Sequence, residues 1–372
     1  MKKISLPMVV TVMCVMISLV LGLFWINQKR QSPTKTSEPK ITRTDYSDVA
    51  RKTLDWIDKQ RNDQGWYILE RGCDFDAKTC DTVWDNDEGN KDGLIVTWAR
   101  FNYYQQTKNP ADLEIIKSDI NKFYEKYPNG VDNALWICKI TYDMYSSKLF
   151  DEEMNKKLEE ICFNTNFPTP EKVPTIISEN KKLVEKMGKD KDLWSAWDGY
   201  SLFLRGYDAY LDYSTDYIYK YLWKKNGDDL KKAEAYFEAI KNNSNFERLS
   251  TENKCLFGLS GLDLYEFGDK NDDDFNYASA LYDELITNSE NLRNVTTPIC
   301  GLLTKRLYQL TDDQKYLSNL EFFSRILVEF NNDSTTNKIV SDNGFWKSNQ
   351  GTLYAWYKNV AENGLVVELL RD

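Results

Sequence analysis

The sequence contains no histidine among its 372 residues. A Ser-His-Asp triad, a zinc site with imidazole ligands and an imidazole acid or base are therefore all excluded. Neither acidic run, at 85–89 or 269–274, has the glycine at position six and the glutamate at position twelve that an EF-hand calcium loop requires. We therefore expect no metal and no cofactor, and any hydrolytic chemistry has to rest on other side chains.

Basic residues are outnumbered by acidic ones. The chain has 48 Lys+Arg against 58 Asp+Glu, which gives a formal net charge of −10. A nucleic-acid partner requires a basic face that displaces counterions from phosphates, so this charge argues against one. Hydrophobic residues make up 41% of the chain and aromatic residues 14%, which is ample for the core of one large globular domain.

Charge is absent from Leu6 to Ile26, a run of roughly twenty residues that is long enough to cross a bilayer as a helix. No small-x-small cleavage site follows it, which favours an uncleaved signal-anchor over a removed signal peptide. Residues 27–43 are polar, contain proline and lack periodicity. The predicted parts are a transmembrane anchor at 1–26, a flexible tether at 27–43 and a domain at 44–372, which we place outside the cytoplasm on a single-pass chain.

Cysteine usage supports that location. Apart from Cys14 in the apolar run, the chain has an even number of cysteines, which is compatible with an oxidising compartment. Cys138 and Cys162 are about equally far from a predicted turn near 148–150, so they would be level on two antiparallel helices. Cys73 and Cys80 are close enough in sequence to staple one loop.

Helix hairpins organise the domain. Apolar residues recur at helical spacing on both sides of a polar turn, at Leu303, Leu307 and Leu310 before it and at Leu317, Leu320, Phe323 and Leu327 after it. Thr311 and Gln314 fit a capping box at the start of the second helix. These features predict two antiparallel helices.

The same hairpin is predicted to recur along the chain, each time with a tyrosine near the end of its first helix. These tyrosines are Tyr104, Tyr145, Tyr210, Tyr265, Tyr308 and Tyr357. The dipeptide Asn109-Pro110 predicts the start of a second helix. Six such units are more than a simple bundle needs, and their period exceeds the roughly 34 residues of tetratricopeptide arrays. A closed ring is the natural alternative, with the segment 351–370 packed against a helix predicted at 45–61.

On runs such as TWARFNYYQQTKNPADLEII and GLLTKRLYQLTDDQKYLSNLEFF, the chain from Asp45 to Asp372 resembles the six-hairpin (α/α)6 toroid superfamily, which includes many glycoside hydrolases. The resemblance implies an all-α fold, an inner ring made of the first helices, and a cleft at their N-terminal ends. It also implies that Cys255 and Cys300 pair on neighbouring inner helices.

The segments that would enter the inner helices are acidic and aromatic. Glycoside hydrolysis generally uses two carboxyl groups about 5 to 10 Å apart across the sugar. We take Asp87, Glu88 and Asp198 as candidate catalytic residues. The candidate substrate-binding residues are Trp84, Asp85, Asp92, Asp132, Trp194, Trp197, Glu252 and Trp346. Asp92, Asp132 and Asp198 also suit a second role, because acidic residues before helices are favoured as N-caps.

The resulting prediction is a membrane-anchored, extracytoplasmic glycoside hydrolase that acts on a poly- or oligosaccharide. The alternative is a non-catalytic α-toroid that binds glycan or protein at the cell surface. A lyase or epimerase that uses tyrosine is a third option, although the missing histidine removes a common base for that chemistry.

Overall fold

The structure is a computed structural model that describes residues 42–67, 70–74, 79–85, 89–131, 136–167, 169–172, 175, 178, 213–242, 251–287, 298–331 and 357–371. Arg43–Asp372 forms one compact unit. Its described helices are α1 (Ser47–Asp58), α2 (Gly89–Thr107), α3 (Pro110–Lys126), α4 (Ile137–Ser146), α5 (Glu152–Phe163), α6 (213–224), α7 (Gly227–Lys241), α8 (Thr251–Phe267), α9 (Asp272–Thr287), α10 (Pro298–Thr311), α11 (Gln314–Asn331) and α12 (Val360–Leu370). The described strands are β1 (Glu70–Asp74), β2 (Thr79–Asp85) and β3 (Tyr357–Asn359), and a single 3-10 turn covers Pro170–Lys172.

Consecutive helices form hairpins, and α2 with α3 illustrates why. Asn109 accepts a hydrogen bond from the Ala111 backbone N–H at 3.1 Å, and Pro110 opens the helix where no N–H is needed. The apolar face of α3 then buries Ile116, Ile120 and Phe123. The helix start predicted from Asn109-Pro110 is confirmed.

A shared turn joins several of these hairpins. A residue with a left-handed backbone follows the first helix, with φ of 54° at Lys108, 55° at Lys225, 60° at Lys270 and 53° at Asp312. The next residue, Asn109, Asn226, Asn271 or Asp313, accepts a hydrogen bond from the backbone N–H two positions on. The predicted capping box is therefore wrong. Asp313 accepts from the Lys315 N–H at 2.9 Å, whereas Thr311 donates to the Leu307 carbonyl.

Replacing Lys270 with glycine is expected to stabilise the protein by about 0.5 to 1 kcal/mol. A side chain in the left-handed region costs roughly 1 to 2 kcal/mol, and glycine removes most of that cost. Ala280→Gly, at an exposed position inside α9, is the control and should destabilise by about 1 kcal/mol. Urea unfolding measures both variants, and a loss of stability in Lys270→Gly would contradict the strain argument.

The first helices of the hairpins form a closed inner ring, α2-α4-α6-α8-α10-α12. Each neighbouring pair has a direct contact: Trp98 with Asp143, Cys138 with Asp216, Thr215 with Ser260, Cys255 with Cys300, Lys305 with the Glu368 carbonyl, and Glu368 with Asn102. The remaining helices, α3, α5, α7, α9, α11 and α1, pack outside them. The described residues thus show six hairpins, the sixth formed by α12 with α1.

Contacts along the inner helices show that neighbours run parallel. The disulfide Cys255–Cys300 is followed three residues further on both helices by the close approach of Gly258 to Leu303. The other described disulfide, Cys138–Cys162, lies within one hairpin. It joins the start of α4 to the end of α5, so these two helices are antiparallel. The N-terminal ends of the inner helices therefore share one end of the ring, which we call the mouth.

The chain closes the ring from both termini, as the sequence predicted. Helix α1 packs against α12 and seals the seam beside α2. The Arg43 guanidinium donates to the Leu369 carbonyl at 2.6 Å, at the C-terminal end of α12, and the Tyr46 hydroxyl donates to Glu321 at 3.0 Å. The compact unit therefore begins on the face of the ring opposite the mouth.

One tyrosine of the predicted repeat is misplaced, and another lies outside the described residues. Tyr357 is the first residue of β3 and precedes an inner helix instead of ending one. Tyr210 lies outside the described residues, and Tyr221 takes the expected position near the end of α6, where its carbonyl accepts the Lys225 N–H at 2.6 Å. The error arose because the tyrosine content of the chain offers several candidates at similar spacing.

Two predicted disulfides are confirmed, Cys138–Cys162 and Cys255–Cys300. Cys73 lies on β1 and Cys80 on β2, in strands that pair antiparallel, and their bond stays a prediction. No helix in the described part of the chain is long and apolar enough to cross a membrane. The predicted anchor at 1–26 lies outside that part.

Candidate functional site

A small sheet stands at the mouth. Strand β2 ends at Asp85, shortly before α2 begins at Gly89, and β3 ends at Asn359, directly before α12. Strand β1 pairs with both, so that the backbone of Glu70 lies opposite Asp85 on one side and Asn359 on the other. The sheet therefore fixes the chain where it enters two neighbouring inner helices.

Several predicted site residues belong to this end of the ring. Trp84 and Asp85 are the last two residues of β2. Asp92 lies in the first turn of α2, and Glu252 lies in the first turn of α8. Their backbones are thus assembled at the mouth, although α2 and α8 are not neighbours in the ring. The other predicted site residues lie outside the described residues: Asp87, Glu88, Asp132, Trp194, Trp197, Asp198 and Trp346.

The end of α5 contacts the residues that precede Asp132 in the sequence. Gly130 has a φ of +85°, and a Cβ there would lie 2.3 Å from the Asn164 carbonyl carbon, so only glycine fits. The Val131 N–H donates to the Thr165 hydroxyl at 3.2 Å, and the Asn164 side chain donates to the Pro128 carbonyl at 2.9 Å. The chain is therefore fixed immediately before Asp132.

Downstream of Asp132, α4 begins in an unusual way. Its N-cap residue Trp136 has φ 55° and ψ 35° and provides no side-chain cap. Asp216 of the neighbouring inner helix α6 takes that role, because its Oδ1 accepts the Cys138 N–H at 2.6 Å. Sequence reasoning missed Asp216, since it lies 78 positions away along the chain.

Burial raises the pKa of the Asp216 carboxyl to about 7, against the opposing effects of the Cys138 N–H and the Lys220 and Lys139 ammonium groups. A carboxyl whose pKa is higher in the folded than in the unfolded chain favours folding when it is protonated. Its contribution is fully present below the unfolded pKa and is lost as the pH rises through about 7.

Asp216→Asn is therefore expected to change the pH dependence of stability. The amide oxygen can still accept the Cys138 N–H, but no charge has to be buried above pH 7. Relative to wild type, the variant should gain stability between pH 5 and pH 8 by on the order of 1 kcal/mol or more. Thermal unfolding at both pH values measures this difference, and parallel pH profiles for the two proteins would contradict it.

Below the mouth, charged and aromatic side chains fill the ring. Lys139 of α4 donates to the Tyr219 hydroxyl of α6 at 2.5 Å and lies 3.8 Å from Asp263 of α8. Because α4 and α8 are separated by α6, the contact between Lys139 and Asp263 has to cross the ring interior. Asp143 completes this group, and burial raises the pKa of its carboxyl while Lys139 and the Trp98 N–H oppose the change.

Helix dipoles give the two ends of the ring opposite electrostatic character. The parallel inner helices direct their positive N-terminal ends to the mouth, which suits acidic groups and negative charge that develops during a reaction. At the opposite end, the Lys305 ammonium donates to the carbonyls of Glu368 and Arg371 at 2.8 and 2.9 Å. In the described residues no group of three or more cysteine or acidic side chains is arranged to hold a metal ion.

No protein-family model and no curated protein matches the chain. The structure is similar to that of the Lin0763 protein from Listeria innocua, with a TM-score of 0.55 and 11% identity over 88% of this chain and 96% of that one. It is also similar to a family 76 glycoside hydrolase from a bovine Bacteroides thetaiotaomicron strain, with a TM-score of 0.54 and 10% identity over 88% of this chain and 77% of that one.

A third similar structure is a family 76 glycoside hydrolase (mannosidase), Bt3792, from Bacteroides thetaiotaomicron VPI-5482, with a TM-score of 0.53 and 11% identity over 87% of this chain and 96% of that one. Identities this low establish a shared fold and no more. The chain has the six-hairpin α/α-toroid fold that its sequence predicted.

Proposed function

We propose that the protein is an extracytoplasmic glycoside hydrolase that cleaves a mannose-containing poly- or oligosaccharide at the mouth of the ring. The observation that supports the proposal is the closed toroid itself, in which the backbones of Trp84, Asp85, Asp92 and Glu252 lie at the end where the inner helices begin. That fold is shared with two family 76 glycoside hydrolases, one of them described as a mannosidase.

Paired carboxylates are the proposed catalytic groups. Asp87 or Glu88 lies in the sequence between the end of β2 and the start of α2, and is proposed as one carboxyl. Asp198 precedes α6 and is proposed as the other. One would protonate the leaving oxygen while the other attacks the anomeric carbon or activates water. Asp132 would orient a sugar hydroxyl or a water, and tryptophans 84, 194 and 197 would stack against sugar rings.

An N-terminal membrane anchor fits this arrangement. The apolar run at 1–26 is long enough to span a bilayer, and the two described disulfides suit an oxidising compartment. Arg43, the residue at which the compact unit begins, lies beside the C-terminal end of α12, on the face of the ring opposite the mouth.

A glycan screen with the full chain in detergent tests the proposal. We expect release of reducing ends from α- or β-linked mannose oligosaccharides, followed by chromatography of the products. Binding of these oligosaccharides by calorimetry without cleavage would favour the non-catalytic toroid. Neither binding nor cleavage across mannose and other hexose oligosaccharides would reject a carbohydrate function at the mouth.

A further inference from the structure

Tyr145 is the one large apolar side chain that is exposed in the described part of the chain, with 37% of its surface accessible. It lies near the C-terminal end of α4, where its carbonyl accepts the Lys148 N–H at 3.2 Å. Because the inner helices begin at the mouth, Tyr145 lies at the opposite end of the ring. It is therefore not part of the site described above.

Aromatic contacts hold the exposed ring from behind. Trp223, near the end of α6, stacks on the Tyr145 ring with centroids 4.6 Å apart and an interplanar angle of 22°. Trp223 is fixed in turn by edge contacts with Tyr142 of α4 and Phe163 of α5, with centroids 5.7 and 6.0 Å away. The stack covers one face of the Tyr145 ring, so the accessible surface lies on the other face and on the edges.

The stacking prepares this ring for a ligand. An exposed side chain that rotates freely loses conformational entropy when a ligand fixes it. The Tyr145 ring is already fixed by Trp223, so most of that loss has occurred before anything binds. Core packing alone is a poor explanation for the position, because more than a third of the side chain remains in water.

Hydrogen-bonding groups lie close to the exposed ring. The Tyr145 and Tyr142 hydroxyls have no hydrogen-bond partner among the described residues, and the exposed Lys148 ammonium has no carboxylate partner there. A flat apolar face with polar groups beside it matches a sugar ring, which presents C–H groups on its faces and hydroxyls around its edge.

We propose that Tyr145, supported by Trp223, is the platform of a second carbohydrate-binding site, which takes a neutral hexose unit of a poly- or oligosaccharide on the face opposite the mouth. The site binds glycan and does not cleave it. A polysaccharide held there has a higher effective concentration at the mouth, because its second contact is intramolecular. The choice of a mannose polymer as the probe rests on the proposed function, whereas binding at Tyr145 does not require catalysis.

Two other occupants fit this surface less well. A stable protein partner needs about 800 Å² from each side with an apolar centre, and Tyr145 has no second exposed large apolar side chain beside it in the described residues. An anionic lipid surface needs clustered basic residues. Here the exposed Asp151 and Glu152 follow Lys148 closely, and the chain carries a net charge of −10. A sugar needs only one aromatic face.

Affinity electrophoresis of the full chain in detergent tests the site, in native gels that contain mannan or, separately, a neutral glucan. Tyr145→Ala should weaken binding to the retarding polysaccharide by about tenfold, because only the mouth is left to bind it. Tyr145→Phe keeps the ring and should stay within about threefold of wild type. Tyr308→Ala is the matched control, since Tyr308 is a half-buried tyrosine near the end of α10 that contacts no other aromatic ring among the described residues.

Two further measurements locate the binding. A mannose hexasaccharide should slow hydrogen–deuterium exchange in peptides that cover 140–150 and 219–227 of wild type, and should leave both unchanged in Tyr145→Ala. Turnover of a mannose disaccharide, which is too short to reach from one end of the ring to the other, should have the same kcat/KM in Tyr145→Ala and wild type.

Equal retardation of Tyr145→Ala and wild type would overturn the proposal, as would the absence of retardation of wild type in both gels. Binding of wild type to vesicles of anionic phospholipid, lost in Tyr145→Ala, without retardation by polysaccharide would assign the surface to a membrane instead. Cleavage of glycan with equal retardation of the two proteins would reject the second site and leave the proposed function standing. Retardation that depends on Tyr145, without any cleavage, would support the second site and reject the hydrolase.

Discussion

Asp112→Ala is expected to destabilise the protein by about 3 to 5 kcal/mol, the largest loss that we predict for one substitution in the described core. Asp112 is 1% exposed and lies at the start of α3. Its Oδ1 accepts hydrogen bonds from Arg100 at 2.7 Å and from Arg51 at 2.9 Å. Removing the carboxylate leaves the Arg100 guanidinium, which is fully buried, short of one of its two anionic partners.

This ion-pair group lies where the ring closes. Arg100 belongs to the inner helix α2, Arg51 to the N-terminal helix α1, and Asp112 to the outer helix α3. Arg100 also donates to Asp58 at 2.6 Å, at the end of α1. The group therefore ties the N-terminal helix to the first hairpin. Loss of Asp112 should loosen α1, which hydrogen exchange of the 47–58 peptide would detect as local opening.

Glu114→Ala is the matched control for Asp112→Ala. Glu114 lies one half-turn away on the same helix, and its side chain is 73% exposed in a pair with Lys117. An exposed pair of this kind contributes little, so the change in unfolding free energy should stay below about 0.5 kcal/mol. The double variant Arg100→Met/Asp112→Leu should recover part of the stability, because it removes both buried charges. If Asp112→Ala and Glu114→Ala lowered the free energy of unfolding by the same amount, the buried ion-pair group would contribute no more to stability than an exposed ion pair.

The sequence predicts outer helices better than inner ones, for a physical reason. An outer helix such as α3 buries one face, so Ile116, Ile120 and Phe123 recur at helical spacing and are easily found. An inner helix is enclosed on all sides, and in α12 every residue from 363 to 370 is buried. Periodicity is therefore weak there. Ring closure could still be inferred, because the helix predicted at 45–61 had no partner nearby in the sequence and the segment 351–370 was available to pack against it.

The contacts that shape the site were not predictable. Asp216 caps α4 from another hairpin, and Lys139 meets Asp263 across the ring, so neither pair has a local sequence signature. The sequence around Asp143 is that of an ordinary helix and does not indicate that the Trp98 indole N–H donates to its carboxyl. The left-handed turns did leave a signal, since Lys-Asn at 108–109, 225–226 and 270–271 marks three of them. That signal is weak, because the same dipeptide also occurs at 241–242 and 358–359.

Asp198→Asn and Asp87→Asn are each expected to lower kcat by about a hundredfold to ten-thousandfold, the range that positioned acid–base catalysis contributes. The two positions enter different hairpins, the third and the first, and we propose that their carboxyl groups face each other across the mouth. An amide is nearly isosteric with a carboxyl but can neither protonate a leaving oxygen nor act as a nucleophile. The positive ends of the inner helices favour the ionised form of any carboxyl at the mouth, so the group that acts as the acid needs burial or a neighbouring carboxylate to stay protonated.

Asp228→Asn is the control for this pair, because Asp228 starts the outer helix α7 on the face opposite the mouth and its side chain is 76% exposed. It removes the same charge from the protein and should leave kcat unchanged. All three variants are compared at equal thermal stability, with the mannose oligosaccharide that the wild type cleaves. Loss of activity only in Asp198→Asn would leave Glu88 as the partner carboxyl, and Glu88→Gln should then reproduce the loss. Turnover near that of wild type in both Asp87→Asn and Asp198→Asn would place the chemistry elsewhere on the ring, because no enzyme that depends on two carboxyl groups retains its rate when either is converted to an amide.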